Sequence, residues 1–548
     1  MWVKNLRHDL YKLERYTLEF NKYLKVLSNN KTNFGVVYYS LISEYSETLK
    51  SILMLLESNY KNEEELQTSR INNMSGVFIL LRKLIEIETV LNILLNNKDD
   101  LYVSYINQTE IDESHVASMF NESLNVFKST TKPKSKYFWL NKHFKKTYRS
   151  VNDLLNLGNY NKESKLMLEL WLYECNYMAH PNLYSDNELI ENFNGMFINL
   201  LRYIFEVIQQ TSHGVYSMIK HIETVDQTKT NYEISNIERK IPMFDIFNKD
   251  YFIKPYYDES VDYPFVNKDY NNYAYDIRAD YSFINAILTI DYDGNPLSLA
   301  KRRTLGKLLD YYVEDLKDLV IGFYNKSNII FYTKIRQVLE SISYIDLVLG
   351  MNEDEIEVYQ AYTDVQRYKR GNYHLNKFNE LNNTNVNINK ELINSDKKLT
   401  VEQAYNLNVK FMKDYFLNKF NETVNTKTIK RANSFAYDGV GVPSNWQLIK
   451  NMLLRNNIDH KFYNGLYSLS SLHCHVNYFT RSNKNLSEEK FYVEVMKKVM
   501  DVVKVNYDKL FTLLPDEMKE KLPSTNSAIN KVLYNLYNYD IIKVPSPF

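Results

Sequence analysis

A chain of 548 residues in which 67 Lys plus Arg balance 67 Asp plus Glu sets up no overall field that would draw it to nucleic acid or membrane, so any such contact is local. Its 44% hydrophobic and 24% charged residues are ordinary for a globular protein of two to four domains, and two cysteines, Cys175 and Cys474, are too few for a disulfide framework. Only 13 Gly and 11 Pro stand where average usage would put roughly 12% of the chain, which predicts long, rarely interrupted elements.

The N-terminal stretch MWVKNLRHDLYKLERY is mixed in charge and has no apolar core of a signal peptide. No run approaches the ~18 apolar residues that a bilayer span needs. A cytoplasmic protein without membrane association is the expectation.

In chain order, the first clear helix covers about residues 36–57. Leu41, Ile42, Tyr45, Leu49, Ile52, Leu53 and Leu56 form one stripe at helical period. Shifted by 267 residues, the same stripe reads Leu308, Leu309, Tyr312, Leu316, Leu319, Val320 and Phe323, and Glu47 and Lys50 return as Glu314 and Lys317. The next helix, LLRKLIEIETVLNILL, is apolar nearly all round yet carries Arg82 and Glu86. At a common offset of 254 these recur as Arg336 and Glu340 in KIRQVLESISYIDLVL. Trp139 and Trp446 precede a further helix in each half. That helix ends in His180-x-Asn182 in the first half and His475-x-Asn477 in the second, both 295 residues apart. Fixed pairs with drifting offsets are the pattern a tandem duplication leaves.

We therefore expect an all-α protein of two duplicated helical bundles, residues 1–223 and 300–522. An aromatic, partly irregular connector, residues 224–299, lies between them, and a C-terminal tail, residues 523–548, follows. Within the connector, INAILTIDYDGNP suggests a short strand and hairpin closing on an Asp-Gly turn.

The repeated polar residues define two candidate pockets: Arg82, Glu86, His180 and Asn182 in the first copy, and Arg336, Glu340, Ser471, His475 and Asn477 in the second. Arg and Glu four residues apart on a helix can pair. On a helix this apolar the pair is buried, which costs several kcal/mol unless both charges are fully partnered. Each copy is expected to bring its histidine helix against its own Arg–Glu helix, with Asn ending the helix and orienting the histidine. Pro181 enforces an exit in the first copy. Val476 in the second lets its helix run on, and binding or activity is expected there. The plainer reading is a structural ion pair with capping residues. The sharper one is a pocket for a phosphate-bearing ligand, where Arg supplies a planar fork and His a proton carrier. A second local feature is the basic, aromatic segment of residues 132–149, with Lys142, Lys145, Lys146 and Arg149. It reads either as a phosphate-facing patch or as a solvated loop. HCH at residues 473–475 does not read as a metal site, since positions two apart on a helix face different ways. No metal and no cofactor is expected.

The order R-x-x-x-E on an apolar helix, the charged segment NEDEIEVYQAYTDVQRYKR, a Trp-led helix and Y-x-x-x-S-x-x-x-H-x-N resembles an uncharacterised bacterial all-helical domain family. The likeness is best over residues 308–481 and looser in the first half. It implies a helical bundle and a gene type carried by bacteria and mobile elements, where antiviral (abortive-infection) defence proteins cluster. A HEPN-like helical ribonuclease is a more distant likeness. Its Arg, four to six residues, His motif is not written here, because no Arg stands at the required distance before His180 or His475. Two expectations of function follow. One is a defence-type helical protein whose repeated pocket senses a nucleotide, a nucleic acid such as RNA, or a phage protein. The other is a metal-independent ribonuclease or nucleotide-processing enzyme using the same residues. The sequence leaves open whether the protein is an enzyme.

Overall fold

The computed structural model describes residues 33–59, 75–95, 100–123, 137–144, 151–178, 268–292, 295–356, 445–475, 489–521 and 528–537, with scattered positions between 359 and 384. Numbered among these residues, the helices of the first half are α1 (Asn33–Asn59), α2 (Ser75–Leu95), α3 (Asp100–Ser123), α4 (Phe138–Phe144), α5 (Val151–Leu155) and α6 (Lys162–Met178). Then come α7 (Lys268–Thr289), α8 (Leu299–Tyr324), α9 (Asn328–Leu349), α10 (Asn445–Arg455), α11 (His460–His473), α12 (Glu489–Thr512), α13 (Asp516–Lys519) and α14 (Ala528–Tyr537). The described fold is all-α, as the scarcity of Gly and Pro predicts.

The paired stripes mark α1 and α8. Leu41, Tyr45, Leu49 and Ile52 on α1 are buried, and so is the whole of the corresponding stripe on α8. Each helix packs against the Arg–Glu helix that follows it, α1 on α2 and α8 on α9, and each Arg–Glu helix packs against the histidine-bearing one, α2 on α6 and α9 on α11. The two halves also meet directly. Both α1 and α2 touch α8 and α9, and a single buried apolar cluster runs from Val37 to Leu536.

The strand expected in the connector is not there. Residues 284–289 belong to α7, and no strand occurs among the described residues. The signal that wins is the spacing of Ala274, Ile277, Tyr281, Ile284 and Leu288, alternately three and four residues apart and all fully buried. That is a helical seam against α8. The short apolar run INAIL is its last turns, and Asn295 closes the turn after it by donating to the Ile290 carbonyl at 3.1 Å. Residues 224–267 lie outside the described residues. Part of the C-terminal tail is also helical: α14 buries Ala528, Ile529, Val532 and Leu536 against α7 and α12.

Among the described residues the α8–α9 hairpin packs against helices of both halves and carries a heavily charged interior. The Lys334 ammonium lies 2.8 Å from Asp315 and 2.9 Å from Asp318. Lys317 pairs with Glu314 at 2.6 Å, and Glu314 in turn receives Arg278 of α7 at 2.7 Å. Burial alone would lower the Lys334 pKa. Asp315 and Asp318 outweigh it and hold the ammonium above its usual range. A Cβ on Gly76 of α2 would stand 2.5 Å from the Lys334 nitrogen, so a bare backbone at that point lets the first half close over this charge. Across the same seam the Ser51 and Ser327 hydroxyls are 3.1 Å apart.

Ser327 caps α9, accepting from Ile330 N. The tight turn before it brings α8 and α9 close together at Gly322, where an added Cβ would lie 2.9 Å from the backbone nitrogen of Phe331. Backbone cannot yield as a side-chain tip can. Gly322→Ala should therefore lower stability by about 1–3 kcal/mol through overpacking. Gly350→Ala, whose Cβ would meet nothing nearer than 3.6 Å, should stay within about 0.5 kcal/mol of the parent. Thermal melts of the two variants side by side check this.

Candidate functional site

Helices α2, α9 and α11 carry Arg82, Glu86, Arg336, Glu340 and Ser471 to the seam between the halves, and His475 follows α11. On α9, Arg336 Nε lies 2.8 Å from Glu340 Oε1, with Glu340 only 1% exposed and Arg336 14%. The pair is further partnered from the neighbouring helix. Tyr467 of α11 donates to the same Glu340 oxygen at 3.0 Å, its ring lies under the guanidinium at 5.1 Å, and Arg336 Nη1 donates to the Ser471 hydroxyl at 3.2 Å. Arg336, Glu340 and Ser471 are thus assembled within the second half.

His475 goes elsewhere. Its Nδ1 lies 3.1 Å from Oε2 of Glu86, on α2 of the first half, and Tyr137 donates to the other oxygen of Glu86 at 2.9 Å. The expectation that the second copy completes its pocket with its own histidine is corrected: the helices pack as expected, but the His475 imidazole crosses to Glu86 of the other half. Nor does the second histidine helix run on past Val476. α11 ends at His473, Cys474 caps it, and His475 N bonds to the Leu472 carbonyl at 3.1 Å in a tightened last turn. That exit frees His475 from the helix surface and lets it reach Glu86.

The Arg–Glu helix of the first half differs from that of the second in detail. Among the described residues Arg82 forms no ion pair with Glu86, unlike Arg336 with Glu340. The buried Nε of Arg82 has no hydrogen-bond partner, and neither has Oε2 of Glu44 nearby in the same interior. Arg82 nonetheless faces the junction, since its charge bears on Tyr137, Cys175 and Cys474. His180, Asn182 and Asn477 lie outside the described residues, as do Lys145, Lys146 and Arg149. Lys142 falls on α4, with its side chain undescribed.

Two contributors, Lys83 and Tyr137, carried no sequence signal. Lys83, fully buried, pairs with Glu44 at 2.7 Å and donates to the His473 carbonyl at 2.8 Å, tying the end of α11 to α2. Its counterpart at offset 254 is Gln337, so the repeat conceals it. Tyr137 is one of 47 tyrosines and stands out only once its hydroxyl is seen on Glu86. Tyr467, in contrast, opens the Y-x-x-x-S-x-x-x-H-x-N motif, and the structure adds that its hydroxyl donates to Glu340.

Charges of both signs meet here. Burial raises the Cys474 thiol pKa against the pull of Arg336, Arg82 and Lys83, so this cysteine stays protonated and poorly nucleophilic. His473 is held neutral, its pKa pushed down to about 3 by burial and then by Lys83. It stacks on Tyr332 at 4.5 Å, so His473 and His475 turn to different partners. No group of three His, Cys, Asp or Glu among the described residues is placed to hold a metal ion. Likewise no described helix is long and apolar enough to cross a membrane.

Comparison with known proteins finds no match, whether to family models, to curated sequences or to solved structures.

Two predictions follow from the buried charges. Glu340→Ala strands the Arg336 guanidinium and should destabilise the fold by about 3–5 kcal/mol. The double change Arg336→Met with Glu340→Leu should cost much less, as read from denaturant melts. The second prediction concerns Glu88, whose pKa burial raises to about 8 against a hydrogen bond from Tyr160 at 2.6 Å. A carboxyl whose pKa is higher folded than unfolded stabilises fully below its unfolded value, about 4.5, and loses that contribution as pH rises through about 8. Glu88→Gln should therefore flatten the fall of the melting temperature between pH 5 and pH 8 relative to the parent. Parallel slopes for the two proteins would contradict this.

Proposed function

We propose that the junction is a binding site for a phosphate-bearing ligand, a nucleotide or RNA, in a cytoplasmic antiviral defence protein of the helical kind the sequence resembles. The observation that carries this reading is the meeting of Arg336, Ser471 and the Glu86–His475 pair at one seam. Arg336 and Arg82 offer planar donor forks suited to phosphate oxygens. The Ser471 hydroxyl adds a neutral donor. The buried Arg82 Nε without a hydrogen-bond partner is a group whose desolvation an anionic ligand would relieve. Glu86 accepts from His475 at 3.1 Å and so sets the orientation of the imidazole towards a ligand.

The repeat supports the same reading. Burying Arg–Glu on an apolar helix has a stability cost, and keeping the pattern in both halves argues for a use beyond packing. The likeness of the sequence to bacterial helical domains that accompany mobile elements supports reading such a sensor as part of a response to phage, with a phage protein as an alternative trigger.

One observation favours a catalytic version. A carboxylate-oriented histidine beside an arginine is the equipment of metal-independent phosphoryl transfer, with His as general acid or base and Arg stabilising charge on the phosphate. In that reading Glu86 orients, His475 moves the proton and Arg336 holds the phosphate.

The test starts from full-length protein purified from cells, with mass spectrometry of nucleotides and RNA that travel with it. ATP and a short single-stranded RNA are then titrated against the parent, Arg336→Met and His475→Ala. We expect binding of one probe, weakened at least tenfold by either change. No binding by the parent, or equal binding by the variants, overturns the reading. A probe that is bound and never converted supports the sensor, whereas cleavage that disappears in His475→Ala supports the enzyme.

A further inference from the structure

Each half sends described residues across to the other half. α3 belongs to the first half by sequence yet packs chiefly on α11 of the second. Phe120, 3% exposed, meets Phe462 of α11 edge-on at 5.6 Å and Phe491 of α12 at 5.1 Å. Gly465 of α11 permits the close approach, since a Cβ there would lie 3.2 Å from the Phe120 ring and 3.4 Å from Met119 Cβ.

The second half returns the contact. Tyr373 stacks on Tyr173 of α6 at 4.0 Å with planes 10° apart, Lys377 pairs with Glu169 of α6, and Lys162 donates to the Glu380 carbonyl at 3.3 Å. Each segment also keeps a tie to the first helix of its own half: α3 packs on α1, and Gln360 bonds to Ala300 and Thr304 at the start of α8. The helices that receive the exchanged segments, α6 and α11, are the two that lead into His180 and His475.

We propose that the halves exchange these segments as clamps, and that α3 is the positioning element for His475. Phe120, Met119 and Gly465 hold α11 against α9 without touching the junction themselves. His475 follows the last residue of α11 by two positions, so a shift of the helix passes directly to its ring. A displacement of about half an ångström is enough to carry the 3.1 Å contact with Glu86 out of hydrogen-bond range. The clamp rests on the junction reading only for its binding consequence. Its geometry is testable without any ligand.

The experiment uses the full-length chain. Met119→Cys with Gly465→Cys should form a disulfide within one molecule under mild oxidation, because the side chains start at nearly the Cβ separation of about 3.8 Å that such bonds prefer. Phe120→Ala should speed amide exchange across residues 460–473. It should also at least halve the loss of melting temperature caused by His475→Asn, since the contact that change removes no longer forms. The oxidised 119–465 link should restore that loss. Residues that do not touch normally act additively, so a merely structural Phe120 would leave the cost of His475→Asn unchanged and overturn the proposal. Unaltered exchange in α11, or failure of the cysteines to link, would overturn it as well. With the short RNA or ATP as probe, Phe120→Ala should weaken binding at least tenfold and the oxidised link should recover it. A parent that binds neither probe would refute the junction's proposed function, and the melting cycle would still decide the clamp.

Discussion

A buried ammonium, Lys334 on α9, sets the terms for the rest of the fold. Helices from both halves surround α9, so this charge has no solvent to turn to. The structure answers with Asp315 and Asp318 at 2.8 and 2.9 Å, a second cation at Lys317 and a glycine, Gly76, where the opposite half passes over it. Removing one partner from such a cluster leaves an uncompensated charge in the core, whereas replacing a whole set with apolar groups costs little. Charges that must be matched in place tie the registers of α7, α8 and α9 together, and α2 closes over them at Gly76.

The same logic separates the two Arg–Glu helices. On α9 the pair is closed: Glu340 receives Arg336 and Tyr467, and Ser471 takes a further guanidinium donor. On α2 the corresponding glutamate is taken by Tyr137 and by a histidine from the other half, while the Nε of Arg82 is left buried without a hydrogen-bond partner. Two segments with the same residues at the same spacing thus end in different electrostatic states. The α9 arrangement is closed on itself, whereas the α2 arrangement keeps a buried guanidinium donor without a hydrogen-bond partner.

Exchange of helices between the halves makes the site depend on both. His475 is carried by the second half, clamped by α3 of the first, tied at its base by Lys83 to the His473 carbonyl, and received by Glu86. The Glu86–His475 contact therefore exists only while the halves stay docked.

The sequence by itself determined the helical class, the position and inward face of the α1, α2, α8 and α9 stripes, and the residues Arg336, Glu340 and Ser471 as one cluster. Those are local facts: helical period and one-turn spacing follow from the backbone geometry of any α-helix. It misjudged residues 284–289, because a short apolar run reads alike as a strand or as the end of a helix until the longer 274–288 seam is counted with it. Only the tertiary structure decided that His475 answers Glu86 and not its own half's pair, that Lys83 and Tyr137 belong to the site, and that α3 packs on α11. Those contacts join residues as far as 390 positions apart in the chain, and no local period encodes which of two similar helices a side chain will meet. That choice is made by the packing and charge matching of the assembled halves.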